Sequence, residues 1–202
     1  IRHTLLEYLT LFTALSLFQS TIGLFDLPIY YYYWGFALFA LLSMLVEKLY
    51  FKSRSEAVGN KVAQLVLPVS IFLSVGDGFV SATYLQSAIT LGLATVFYAV
   101  SAYLTKDERE RMLYTGLSAC ALPMGALLVW LHLGPDIFKV QVGVTMFGIA
   151  LIYAQLSEAF SWRKLVSEQK LFASLSSLLA VCAVFLALQN HEGSLLLAIG
   201  GL

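Results

Sequence analysis

Tyr103-Leu-Thr-Lys-Asp-Glu-Arg-Glu-Arg111 carries six charged residues in nine, between long stretches that are almost wholly apolar. Such a run cannot sit in hydrocarbon, where each ionised side chain costs roughly 2.5–3.5 kcal/mol even on a lenient scale. It reads as the short aqueous turn of a transmembrane hairpin. That reading sets the depth and direction of every other segment.

Composition agrees. Of 202 residues, 59% are hydrophobic and only 12% charged, about half the charge of an ordinary soluble domain. Apolar runs of about 20 residues, apolar on all sides, place the chain among all-α polytopic membrane proteins. The net formal charge is zero, so nothing points to nucleic acid as a partner. Cys120 and Cys182 both fall inside expected spans and read as small buried hydrophobes rather than a disulfide or ligand pair. The chain begins Ile1-Arg-His-Thr and stops inside the apolar run Ser194–Leu202. Both ends read as cut from something longer.

Working outward, spans are expected at about 5–25, 29–46, 62–75, 79–104, 112–133, 140–160 and 171–189, with the start of an eighth after Ser194. Turns are expected at Phe25–Pro28, Gly76-Asp77-Gly78 and Gly134-Pro135-Asp136, where glycine, proline and aspartate suit tight reversals. The opposite ends carry the polar loops 47–61, 103–111 and 161–170. Arg2, Lys48, Lys52, Arg54, Lys61, Lys106, Arg109, Arg111, Arg163, Lys164 and Lys170 fall on that loop side, and only Lys139 on the other. Eleven against one predicts a cytoplasmic (or matrix or stromal) N-terminus, because Lys and Arg near span ends set orientation. The end of the seventh span is then on the far side.

Each far-side connection carries an acid: Asp26, Asp77, Asp136 and Glu192, at intervals of 51, 59 and 56 residues. These intervals predict one transmembrane domain over 1–202, with hairpin repeats near 27–77, 78–136 and 137–192. Any bundle of hairpins with similar loop lengths gives the same spacing, so duplication and coincidence both stay open.

Candidate chemistry is sparse. Tyr30-Tyr-Tyr-Tyr-Trp34 reads as an interfacial anchor, since four consecutive tyrosines point all round a helix and cannot form one wall for a planar ligand. His3, His132 and His191 lie near span ends, away from the mid-depth position of a haem ligand. His132 with Asp136, and His191 with Glu192, have no diagnostic metal spacing. Glu7, Glu47 and Glu158 lie near the loop side, and no acid is expected at depth, which argues against a carboxylate-driven carrier. No GxSxG, HExxH or phosphate-gripping glycine loop occurs. No catalytic, cofactor-binding or metal residue is therefore nominated, and no cofactor is expected.

The uncharged polar residues inside the spans, Gln19, Gln64, Gln86, Gln141, Gln155, Ser176 and Ser177, read as interhelical glue. Small residues four apart favour close packing: Ala88 and Gly92, Ala121 and Gly125, Ser176 and Ala180, Ala183 and Ala187. Pro68 and Pro123 are expected to kink their helices. The mixed-charge run 103–111 is nearly self-neutralising and reads as a solvated turn rather than a docking site.

The functional expectation is a multi-pass integral membrane protein acting as a non-catalytic structural or accessory subunit of a membrane complex. Its expected partners are the lipid bilayer and other membrane-protein subunits. The alternative is a transporter or channel for a small or lipid-like solute. An intramembrane enzyme is the weakest reading, because no pair of catalytic groups faces one aqueous side.

Overall fold

The computed structural model describes the backbone of residues 2–50 and 58–188, and the side chains of 8–46, 61–134 and 141–186. Seven helices occur there, and no strand: α1 (Arg2–Leu24), α2 (Tyr30–Tyr50), α3 (Val58–Ser81), α4 (Tyr84–Leu104), α5 (Glu108–Leu133), α6 (Pro135–Trp162) and α7 (Val166–Leu188). Five contain stretches long and apolar enough to cross a membrane: Lys61–Ser81, Tyr84–Leu104, Glu108–Leu133, Gln141–Trp162 and Val166–Leu186. The described parts of α1 and α2 add two shorter apolar helices, Tyr8–Leu24 and Tyr30–Val46. This architecture is the expected all-α bundle of about seven spans, and it fits an integral membrane protein. The expected eighth span lies outside the described residues.

Hydroxyls inside these helices return to their own backbone. Thr13 donates to the Leu9 carbonyl, Thr21 to Leu17, Ser43 to Phe39 and Ser177 to Ala173, each four residues back. Such bonds satisfy a hydroxyl without water, which lets Ser and Thr lie in an apolar helix.

Three turns differ from expectation. The stretch Gly76-Asp77-Gly78 is helix, not turn: α3 runs on to Ser81, and the chain reverses at Ala82, whose φ is 55°. Gly78 serves packing. A Cβ there would collide with the Ser87 hydroxyl, so this glycine lets α3 and α4 touch. Second, only Thr105–Asp107 of the charged run is non-helical. Asp107 caps α5, its Oδ1 accepting from the backbone N–H groups of Arg109 (2.7 Å) and Glu110 (3.2 Å). Glu108 and Glu110 then occupy the first turn, where the helix dipole favours negative charge. Third, α6 starts at Pro135, directly after Gly134 (φ 119°), so Gly134-Pro135-Asp136 is one linking residue followed by helix. Proline suits a first helical position because it lacks the N–H that would go unpaired there. Both α3 and α5 continue through Pro68 and Pro123.

The chain divides into two compact units, residues 1–97 and 98–202, with the boundary inside α4. In the first, α2 packs along α3, and α1 lies against both. Phe18 of α1 meets Phe36 and Phe39, and it approaches Gly35 so closely that a Cβ there would lie 2.8 Å from Phe18 Cζ. The core is built of Ala37, Ala40 and Met44 on α2, and Ala63, Leu67, Ser70 and Ser74 on α3. Those buried positions recur every three or four residues, the stripe of a helix-packing seam.

In the second unit α6 and α7 form a long antiparallel pair with α5 across them. Ser157 donates to the Gln169 carbonyl (3.0 Å) and Ser176 to Ala150 (2.8 Å), two bonds in one antiparallel register. Tyr153 donates to the Ala119 carbonyl of α5 (2.6 Å), and Trp130 Nε1 to Thr145 Oγ1 (2.9 Å). Val142, Met146, Ile149, Tyr153, Phe172, Leu179 and Ala183 fill the space between, with Phe172 stacked on Phe160 and edge-on to Tyr153.

Candidate functional site

Two places gather polar groups, one in each unit. In the first unit, the face of α3 carrying Ser70, Ser74 and Asp77 at four- and three-residue spacing meets Tyr33 of α2 and Ser87 and Thr90 of α4. Ser70 donates to the Tyr33 carbonyl. Ser74 donates to Thr90 Oγ1 (3.0 Å), Thr90 to the Gln86 carbonyl (3.1 Å), and Ser87 back to the Ser74 carbonyl (2.6 Å). Ser70, Ser74, Ser87 and Thr90 are all buried. Four buried hydroxyls in mutual register tie three helices together by hydrogen bonds worth about 0.6 kcal/mol each in a membrane.

At the Ser81 end of this seam the satisfaction stops. Asp77 Oδ1 accepts from Ser81 Oγ (2.9 Å), but Oδ2 is shielded from solvent without a hydrogen-bond partner. Asp77 lies four residues before the end of α3, about 6 Å along the axis. The expected turn aspartate is thereby corrected to a helical one, near the end of the span and not at depth. Once the Gly-Asp-Gly stretch is helix, its aspartate enters the span.

The second place is at the start of α5 and α7. Arg111 Nε meets Glu168 Oε1 at 2.5 Å, and Ser167 Oγ donates to Glu108 Oε1 (3.2 Å). These contacts bring the turns around 105–107 and 163–165 together. Glu168 is only 2% exposed, and its Oε2 has no partner. A buried carboxylate held by one arginine is expensive to leave unpaired, so Arg111 is a structural requirement of this end.

The remaining sequence candidates fare unevenly. Of the expected glue residues, Ser176 bonds across helices, whereas Ser177 bonds within its own, and Gln19, Gln141 and Gln155 are exposed. Cys120 and Cys182 are exposed on α5 and α7, not buried. The buried positions of these helices include Ala119 and Ala121 on α5 and Leu179 and Ala183 on α7. Of the small pairs, Ala88 is buried and Gly92 exposed, while Ala121, Gly125, Ser176, Ala180 and Ala183 are at least half-buried. In the run Tyr30 to Trp34, Tyr31 touches both Tyr30 and Trp34, while Tyr32 meets Phe36. His132 is exposed. The side chains of His3, Glu7, Glu47, Asp136, Ala187, His191 and Glu192 lie outside those described.

Sequence reasoning missed Asp77 and Glu168 as members of polar clusters. The signal was present for Asp77: Ser70, Ser74 and Asp77 share one helical face, provided the helix is not ended at Val75. No family model matches the chain, and no curated protein or solved structure matches it significantly.

Proposed function

We propose that the chain is a non-catalytic subunit or scaffold of a membrane assembly, whose outward helix faces receive other membrane-protein subunits. One observation carries the reading: Gln155 is exposed on the α6 span, seven residues before its end at Trp162. That places an amide about 10 Å inside the span. An amide facing hydrocarbon without a partner costs several kcal/mol, whereas one facing another helix gains a hydrogen bond. Support comes also from α7, of whose span only 17% is buried.

The test is a photo-crosslinking residue at position 155, activated in native membranes. A discrete protein adduct is expected, lost on detergent dissociation before illumination. Adducts to lipid alone would overturn the subunit reading. We orient the N-terminus to the cytoplasmic side from the eleven-to-one bias of basic residues. The hairpin duplication stays a proposal.

A transporter is the second reading, favoured by the unpaired Asp77 Oδ2 at the end of the hydroxyl seam. Intramembrane ionisable groups commonly mark solute paths. Solute flux in proteoliposomes that Asp77→Asn abolishes would favour it over the subunit reading.

A further inference from the structure

We infer that the α5/α7 end of the second unit is a binding surface for the phosphate headgroups of anionic phospholipids. Glu108–Ser167 and Arg111–Glu168 hold two charged turns side by side. Within that joined patch the carboxylates are largely engaged. Asp107 caps α5, Glu108 accepts from Ser167, and Glu168 holds Arg111. The cations are not. Lys106, Arg109, Arg163, Lys164 and Lys170 are exposed and have no ion-pair partner among the described residues. Exposed carboxylates oppose them on the α5 side, where Asp107, Glu108 and Glu110 stand against Lys106 and Arg109, whereas around the α6–α7 turn Arg163, Lys164 and Lys170 face only Glu158. The local field at the α6–α7 turn is therefore positive although the chain is neutral overall.

Position selects the ligand. Each of these residues lies at or just beyond the end of a membrane-length apolar helix, at headgroup level. Trp162 and Tyr103, 81% and 87% exposed, flank the patch, and their amphipathic rings favour the same layer. Lys164 is held at φ 60°, directly after the C-cap of α6, a place that glycine fills more cheaply. A cation stands there despite the strain. Basic residues at a membrane surface each strengthen attraction to anionic lipid by about fivefold. An acidic segment of a partner protein is the competing occupant.

The experiment is native mass spectrometry of the full chain, purified in mild detergent and supplied with equal amounts of phosphatidylglycerol and phosphatidylcholine. Preferential retention of phosphatidylglycerol is expected. It should fall about fivefold for each of Arg163→Gln, Lys164→Gln and Lys170→Gln, and remain unchanged in Lys139→Gln. Lys164→Gly guards against misfolding, because glycine suits that backbone: it should fold at least as well and still lose preference. Equal retention of the two lipids by the native chain would overturn the inference. So would a preference that survives all three substitutions together. Displacement of the bound lipid by millimolar inorganic phosphate would reassign the patch to free phosphate. Retention of an acidic protein in place of lipid would reassign it to a partner.

Discussion

Two glycines two residues apart on α3 separate packing from conformational need. A Cβ at Gly78 would strike the Ser87 hydroxyl, which is itself bonded to the Ser74 carbonyl, while a Cβ at Gly76 would meet nothing within 4 Å. Gly78→Ala should therefore destabilise by about 1–3 kcal/mol, as overpacking does. Gly76→Ala should be neutral or stabilising by up to about 1 kcal/mol, the helix-propensity difference. Thermal unfolding of both variants in one detergent checks the contrast, and equal losses would contradict the close approach of α3 and α4. At Lys164 the sign reverses: Lys164→Gly should raise stability by about 1 kcal/mol by relieving a left-handed backbone. What a residue does here was poorly legible in the sequence. Glycine next to aspartate signals a turn by composition, and only the neighbouring helix reveals that Gly78 is instead a contact.

Among elements, the link between α5 and α7 is the most exposed to disruption. Glu168 is buried, and among the described residues its one ionic partner is Arg111. Arg111→Leu leaves that charge uncompensated and should cost about 3–5 kcal/mol. Arg111→Leu combined with Glu168→Leu should recover most of the loss, because an apolar pair removes the desolvation penalty as well as the attraction. A thermal-unfolding double-mutant cycle reads this directly, and additive losses would show that the two side chains do not depend on each other. The spans and their order were legible, because each apolar run is long enough to cross a bilayer and each charged run is excluded from it. The buried stripes were not. In α2, α4 and α7 almost every position is apolar, so hydropathy cannot say which face turns inward. Small and hydroxyl-bearing residues hold that information. Ser87, Thr90 and Ala94 line the α4 seam, while Cys120 and Cys182, apolar in character, lie outside it.

At the scale of the molecule, charge and hydropathy together describe hairpins that cross a bilayer, with ionised groups gathered at the ends. The charged run 103–111 divides its labour: Asp107 caps α5, Glu108 and Arg111 tie α5 to α7, and Lys106 and Arg109 stay exposed. It was legible as an aqueous turn, but its bonds to residues 167 and 168, nearly sixty positions away, were not. The subunit reading belongs to this scale too. A Gln155→Leu substitution should leave the purified chain folded yet weaken its association with partners in native membranes, measured by co-purification. An unchanged assembly would count against Gln155 as an interface residue. The most direct test of the whole account is sidedness. In a chain carrying Cys120→Ala and Cys182→Ala, single cysteines are introduced at Asp107, Asp26 and Ala82 and exposed to a membrane-impermeant maleimide. The account predicts labelling of position 107 from the cytoplasmic side only, and of positions 26 and 82 from the opposite side only. Labelling of all three from one side would contradict it.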